Sequence, residues 1–276
     1  MSAAIHLRAS GYQVDVYDRR RGPGGKAFEH RLGEYRFDTG PSLLTLRDVF
    51  ADLFEATGAR IEDYLDIRPL DTICRYAFSD GTHMRSYQDP QKMKGALLEL
   101  EPEVHPRSID KYFRYVERLY DIAGDLFLKS SLHEVSTYLK PSTVLSILRL
   151  PAIDALRSMD AAHRSFFHGK LVQLFNRYAT YNGSSPYQVP ATLNIIQHVE
   201  YGLGAWAVEG GIYAIPKAMH SLAERIGVRF QWNSPVDRIL YDSSRTIEGV
   251  SVAGRPVQYD IVVSNADVTP TYRDLL

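Results

Sequence analysis

The segment VDVYDRRRGPGGKAF, residues 14–28, constrains the fold more than any other stretch of this 276-residue chain. Ahead of it, Ser2 to Ser10 reads as a helix with Ile5 and Leu7 inward and Gly11 at its C-terminal cap, and Tyr12 to Tyr17 alternates as a strand. Helix, glycine and strand make half of a βαβ unit, so the chain enters a layered α/β arrangement. Asp18 then ends the strand, three arginines follow, and the pair Gly24-Gly25 breaks the chain sharply. In a dinucleotide fold an acid at that strand end accepts from adjacent ribose hydroxyls, because one carboxylate takes two neighbouring O–H groups. Arg20 has the spacing to reach a pyrophosphate, and a glycine pair lets backbone come close to a cofactor. An ordinary surface turn with solvated arginines is the competing reading of Arg19 to Gly25.

The rest of the chain divides by pattern. Asp48 to Thr57 forms an amphipathic helix ended by Gly58, and Cys74 to Arg85 reads as a hairpin around Asp80-Gly81. From Ser108, Ile109, Tyr112, Phe113, Val116, Leu119, Ala123 and Leu126 recur at helical spacing. Helical character is expected to persist to about Arg177, broken at Pro141 and Pro151. After Gly210-Gly211 come a helix, Ile215 to Arg225, and the strands VRFQW, DRILY, IEGVSV and VQYDIVVSN. Asn233-Ser234, Asp242-Ser243 and Ala253-Gly254 are their turns.

Several chemistries are excluded or weakly supported. With 32 Lys plus Arg against 33 Asp plus Glu, there is no electrostatic case for a nucleic-acid partner. The single cysteine, Cys74, rules out an intrachain disulfide and a multi-cysteine metal site. His163 and His168 miss the i, i+4 spacing of a helical metal pair, and Ser184-Ser185 lacks a nucleophile elbow. No basic, apolar leader is visible at MSAAIHLRAS, and no run is long enough to span a bilayer.

Three blocks in order are more specific than any one alone: GPGGKAFEHRLGEYRFDTGPSLLT, then LGAWAVEGGIYAIPKAM, then VSNADVTPTYRDLL. Together they resemble the FAD-containing amine-oxidase superfamily and, within it, the bacterial and fungal phytoene desaturase family of carotenoid desaturases. RYATYNGSSPYQVPATL, residues 177–193, is similar to the same family. The resemblance implies an α/β protein whose Rossmann-like FAD-binding domain is formed by residues 1–72 and 212–276. A largely helical α+β substrate domain, residues 73–211, is inserted into it. It also implies that the first strand and its G-x-G-x-x-G phosphate loop precede Met1, and that a further flavin-contacting segment follows Leu276. The chain is therefore expected to be an internal fragment, with apolar faces and strand edges of its parallel sheet exposed.

By that resemblance Asp18, where the family more often has Glu, binds the adenosine ribose. Arg20, Gly24, Gly25 and Lys26 line the pyrophosphate and ribityl portion of FAD, and Asp38, Gly40 and Pro41 border the flavin. Val236 meets the adenine edge through its backbone, and Ala266 passes close to the cofactor. Read without the family, Val236 is a core strand residue. Trp206, Gly210, Gly211 and Tyr213 belong to a loop that approaches the substrate, although Trp206 serves equally well as an interface aromatic. No catalytic residue is assigned.

A polyene offers no carbonyl or hydroxyl to polarise, so its dehydrogenation calls for a hydride-accepting cofactor. The expected activity is desaturation of a phytoene-type polyene with FAD. The substrate is lipid-soluble, which implies peripheral attachment to the inner face of the cell membrane. Thr143 to Leu156, TVLSILRLPAIDAL, is the segment suited to lie in that interface or else to be a buried helix. Two alternatives remain on sequence grounds: another oxidase of the superfamily, such as one acting on amines, and a non-catalytic remnant that binds lipid or a partner without flavin. Nothing in the sequence specifies an oligomeric state.

Overall fold

A computed structural model describes residues 1–129 and 150–276, which form two compact units. One comprises residues 1–43, 47–67 and 208–276; the other comprises 44–46 and 68–207. Residues 143–149 of the expected interfacial segment lie outside the described residues, whereas Leu150–Ile153 forms a short 3-10 turn and Leu156 is fully exposed.

In the first unit the helix Ser2–Ala9 turns at Gly11, φ +95°, into the strand Asp15–Tyr17. That strand pairs in parallel with Arg229–Gln231, placing Asp15 opposite Arg229, Val16 opposite Phe230 and Tyr17 opposite Gln231. The Arg229 guanidinium closes on the Asp15 carboxylate, with Nη2 to Oδ2 at 2.8 Å, and the Tyr259 hydroxyl donates to the same carboxylate at 2.7 Å. Burial works to raise the Asp15 pKa, but these bonds and the Arg229 charge bring it below the ordinary carboxylate value. The helix Ala214–Arg225 precedes the Arg229 strand, and the strands Val236–Tyr241, Ile247–Val252 and Arg255–Gln258 form an antiparallel meander. The strand expected through VQYDIVVSN ends at Gln258: Ile261 and Val263 have the alternation of a strand but are exposed and pair with no neighbour among the described residues.

A hairpin that the periodicity did not predict, Glu29–Leu32 with Tyr35–Asp38, turns at Gly33, φ +60°. Its register puts His30, Leu32, Tyr35 and Phe37 on one face and Glu29, Arg31, Arg36 and Asp38 on the other.

The second unit opens with the antiparallel pair Thr72–Ala77 and His83–Tyr87, the hairpin expected around Asp80-Gly81. The helix Pro90–Leu100 follows, capped by the Asp89 carboxylate accepting from the Lys92 N–H at 2.8 Å, with proline at its first position. The long helix Pro106–Lys129 brings Ile109, Tyr112, Val116 and Leu119 inward, all fully buried.

Tyr112 is the hub of this core. Its ring lies 4.6 Å from Phe175, 4.9 Å from Phe167 and 5.5 Å from Phe166, centroid to centroid. A chain of oriented hydrogen bonds threads these rings. Asn176 Nδ2 donates to Asp160 Oδ1 at 2.7 Å, which turns its Oδ1 toward His163 Nδ1, also at 2.7 Å. His163 therefore carries its proton on Nδ1, and Nε2 accepts from the Tyr112 hydroxyl at 3.1 Å. Arg164 closes the chain on Asp160 Oδ2 at 2.8 Å. Burial holds the His163 pKa below the ordinary histidine value, against the opposing pull of Asn176 and Asp160. His168 precedes the helix Gly169–Asn176, and among the described residues no three or more His, Cys, Asp or Glu side chains are grouped as a metal site would need.

A second polar knot surrounds Glu200, which is 1% exposed. Its carboxylate accepts from the Tyr178 hydroxyl at 2.6 Å and the Tyr181 hydroxyl at 2.7 Å, with Arg177 Nη2 at 3.6 Å. Arg177 also donates to the Tyr76 hydroxyl at 3.0 Å and stacks over the Tyr178 ring at 4.4 Å. Among the described residues no helix is long and apolar enough to cross a membrane.

Two stability measurements follow. A buried histidine whose folded pKa lies below its unfolded value of about 6.5 contributes stability above that pH and loses it on acidification. Unfolding midpoints should therefore fall as pH drops from 7 to 5, before the carboxylates titrate near pH 4. His163→Gln should flatten this limb, leaving the part due to His198, whose pKa burial also lowers. An unchanged limb in His163→Gln would refute the neutral assignment. Glu200→Leu removes the acceptor of two tyrosines and the partner of Arg177, and should cost about 3 kcal/mol in denaturant unfolding.

Candidate functional site

The cofactor residues singled out from sequence fall in the first unit and Trp206 in the second, and main-chain pairing organises most of the former. Beyond the paired strands, the Asp18 N–H donates to the Gln231 carbonyl at 3.1 Å and the Ser234 N–H to the Asp18 carbonyl at 2.9 Å. The Asn233 N–H donates to the Arg20 carbonyl at 2.9 Å. The segment leading to Val236 therefore runs alongside Asp18 to Arg20. Asp18 folds back on this turn: its Oδ1 accepts from the Arg20 N–H at 2.8 Å, while its Oδ2 makes no hydrogen bond among the described residues.

Arg20 reaches across the glycine pair and donates from Nη1 to the Gly25 carbonyl at 2.7 Å. Its guanidinium thereby braces the turn. The two glycines are needed for different reasons. At Gly24, φ +108°, a Cβ would lie 2.3 Å from the Ala27 carbonyl oxygen and 2.9 Å from the Tyr213 ring, so the exclusion comes from the chain itself. At Gly25, φ +57°, a Cβ would meet nothing within 4 Å, and this side of the turn is open to a ligand. The Ala27 N–H closes the turn on the Gly24 carbonyl at 2.9 Å, and Lys26 is exposed.

Gly40 packs against the same turn, where a Cβ would lie 2.6 Å from the Lys26 carbonyl oxygen. Thr39 fixes that approach by donating its N–H and its hydroxyl to the Phe28 carbonyl, both at 2.9 Å. Pro41 follows, exposed. Asp38 uses its carboxylate internally: Oδ1 accepts from Arg36 Nη1 at 3.0 Å and Oδ2 from the Ile212 N–H at 3.2 Å. It thus ties the hairpin to the Gly210-Gly211 turn, where a Cβ at Gly211 would lie 2.4 Å from Asp38 Oδ2. Tyr213 stacks edge-on against Phe28 at 5.0 Å, and Lys217 sits 4.5 Å over the Tyr213 ring. Trp206 exchanges both main-chain hydrogen bonds with Leu44, at 2.8 and 2.9 Å.

Sequence reasoning missed the cleft that borders this turn, about 640 Å3, lined by Arg21, Phe28, Glu29, Arg31, Tyr213 and Lys217 among others. The only signals were Lys217 one turn past the glycine pair and the alternating charges of the hairpin. Glu29 sits among cations, and hydrogen bonding to Arg31, with Lys217 and Arg36 nearby, holds its carboxyl below the usual range. Val236 begins its strand opposite Val252. Ala266 is exposed beside Asp267, which caps the next turn through the Thr269 N–H at 3.0 Å; no described hydrogen bond brings Ala266 to the Asp18 turn.

The carboxylate at a strand end, the open glycine and the braced turn suit an extended anionic cofactor with a sugar hydroxyl. Comparison with known proteins agrees with that chemistry. Residues 1–274 match the family of flavin containing amine oxidoreductases, and the chain belongs to that family. Within it, the chain groups with the phytoene desaturase family. It is 36% identical over 276 residues to the 1-hydroxycarotenoid 3,4-desaturase of Flavobacterium sp., covering 100% of this chain and 56% of that protein. It is 33% identical over 284 residues to the zeta-carotene-forming phytoene desaturase of Myxococcus xanthus, covering 100% and 53%. The chain thus spans about half the length of the curated relatives it matches. An oxidoreductase from Methanosarcina mazei shares the fold, with a TM-score of 0.59 at 16% identity over 96% of this chain and 56% of that one. These likenesses confirm the α/β class expected from the sequence.

The two glycines should respond differently to a methyl group. Gly24→Ala meets both a positive φ and the Ala27 carbonyl, and should lower unfolding stability by about 3 kcal/mol. Gly25→Ala meets the φ penalty alone, about 1 kcal/mol. Equal losses in urea unfolding would contradict the internal role of Gly24.

Proposed function

We propose that this chain is the larger part of the FAD-binding and substrate domains of an FAD-dependent carotenoid desaturase, which introduces double bonds into a phytoene-type polyene or its hydroxylated derivative. The observation that carries this reading is the turn from Asp18 to Gly25, with one free carboxylate oxygen and one open glycine, in a chain 36% identical to a hydroxycarotenoid desaturase. The unit of residues 1–43, 47–67 and 208–276 is assigned to the cofactor and that of 44–46 and 68–207 to the substrate.

When bound, oxidised flavin would supply a hydride acceptor for an allylic C–H bond. The chain's own residues bind and orient. Asp18 Oδ2 accepts from the adenosine ribose. The open face of Gly25 lets the backbone approach the pyrophosphate, and Lys26 supplies a positive charge beside it. Arg20 keeps the turn in place by its bond to the Gly25 carbonyl. Gly40 and Pro41 border the flavin, with Asp38 holding the adjoining turns together. Val236 meets the adenine edge, and Ala266 passes the cofactor.

The substrate unit is rich in buried aromatic and aliphatic side chains, in keeping with an apolar polyene substrate. Access to such a substrate calls for peripheral attachment to the inner face of the cell membrane, in which Thr143 to Leu156 takes part.

The decisive measurement is flavin content after expression with excess FAD, read by visible absorption and by FAD released on denaturation. The reading expects bound FAD, with Asp18→Asn, which keeps Oδ1 for the Arg20 N–H and replaces the free Oδ2, weakening it about tenfold at unchanged unfolding stability. Protein that stays colourless at saturating FAD would refute the cofactor assignment for this chain. Product analysis in a phytoene-accumulating host, against an amine substrate in vitro, separates a desaturase from another oxidase of the family.

A further inference from the structure

In the hairpin of Glu29–Leu32 and Tyr35–Asp38 only Glu29 and Asp38 are half-buried, and the residues between them are exposed. Its charged face is tied down: Glu29 accepts from Arg31 at 3.1 Å and lies 3.8 Å from Lys217, and Asp38 holds the Ile212 N–H. The opposite face carries Leu32, Tyr35 and Phe37, which are 66%, 72% and 52% exposed. The register sets Leu32 opposite Tyr35 and His30 opposite Phe37, so these four side chains make one contiguous patch. A two-stranded ribbon with no covered face is marginal in water, and clustered exposed rings mark an interaction surface. The surroundings say what covers it. Between residues 18 and 38, Arg19, Arg20, Arg21, Lys26, Arg31 and Arg36 outnumber Asp18, Glu29, Glu34 and Asp38, in a chain whose formal net charge is -1. His30 belongs both to the patch and to the cleft of about 640 Å3, so the two are continuous. In that cleft Arg21 lies 5.9 Å over the Phe28 ring, with no ion pair among the described residues, and Lys217 lies 4.5 Å over Tyr213. No residue assigned above to the cofactor lines the cleft.

We propose that this hairpin face docks on an anionic lipid surface, with Leu32, Tyr35 and Phe37 at the boundary between headgroups and acyl chains and with Arg21 and Lys217 meeting lipid phosphates. The inference rests on the membrane reading under Proposed function and adds the element of the first unit that touches the bilayer and the charge of the lipid it prefers. Aromatic rings favour that depth, and an anionic leaflet attracts the cations beside them. Glu34, exposed in the turn, keeps the tip in water, so the hairpin lies along the surface and does not pierce it. A second copy placed on this face by a two-fold axis would set the same cations against one another. A free phosphate would engage the cations and leave the rings in water.

The test floats the full chain with vesicles of phosphatidylcholine alone and of phosphatidylcholine mixed with phosphatidylglycerol. The chain should partition about tenfold more strongly to the anionic vesicles, and high salt should remove most of that gain. Leu32→Ser and Tyr35→Ser alter exposed side chains, so each should keep its unfolding midpoint while weakening partition to the anionic vesicles about tenfold. Lys217→Gln should lower the anionic preference and leave partition to phosphatidylcholine within about twofold. Tyr35→Trp should add an emission that moves to the blue on anionic vesicles. Vesicle binding that is equal on both lipids, or that both serine variants retain, would overturn the inference and leave the membrane reading standing. A dimer that Tyr35→Ser dissolves without changing flotation would give the face to a second copy and overturn it as well. A chain that stays in solution with every vesicle would sink the membrane reading and this inference together.

Discussion

The first unit depends on one stretch of main-chain pairing, between residues 14–20 and 229–234. The Arg229 N–H donates to the Val14 carbonyl, the three parallel pairs follow, and Asp18 and Arg20 continue the exchange through Gln231, Asn233 and Ser234. Backbone groups in a parallel pair leave no freedom of register, since a slip of one residue would turn every side chain to the opposite face. The Asp15–Arg229 ion pair marks that register at its start. Asn233, at φ +55°, marks its end. What the turn from Asp18 to Gly25 offers a ligand is therefore set by a segment more than two hundred residues away.

This dependence explains what could and could not be read from the sequence. Local signals were sufficient for the helix Ser2–Ala9 with Gly11, the helix Ala214–Arg225 and the hairpin at Asp80-Gly81, because periodicity and turn chemistry act within a few residues. The helix Pro90–Leu100 had its signal in Asp89-Pro90, an N-cap followed by the residue most favoured at the first helical position. The hairpin Glu29–Asp38 was hidden because its polar face alternates charges and its other face is exposed, so no core pattern marks it. The overextended last strand failed for the converse reason: Ile261 and Val263 alternate as a strand would, but alternation cannot supply a partner.

The candidate site was legible as a set of residues and illegible as a mechanism of restraint. Asp18 and Gly24 stood out by type and spacing, and Asp38 through the family resemblance. Nothing in the sequence said that Asp38 holds the Ile212 N–H, or that Gly24 is required by the Ala27 carbonyl and Tyr213. Such roles arise from contacts between distant segments, which composition and period do not encode. In the second unit the same limit applies to polarity. Tyr112, His163, Asn176 and Asp160 hydrogen-bond to one another, and Glu200 to its tyrosines, whereas Arg177 Nε, Asn194 Nδ2 and Gln197 Oε1 are left without a partner. A fully paired network fixes a core, and an unpaired amide beside it stands out only once its neighbours are in place.

The long-range pairing also orders events at the ribosome. Residues 68–207 are complete in the nascent chain before Arg229 to Ser234 have been made, so the second unit has all of its own sequence while the first still lacks its central strand partner. Synthesis at about 5–20 residues per second gives the helical unit seconds to form before Asp15 to Arg20 find their match. Until then the early strand has an open edge toward Arg229 to Gln231, and the interval in which it can pair wrongly with another chain is set by translation rate rather than by its own stability.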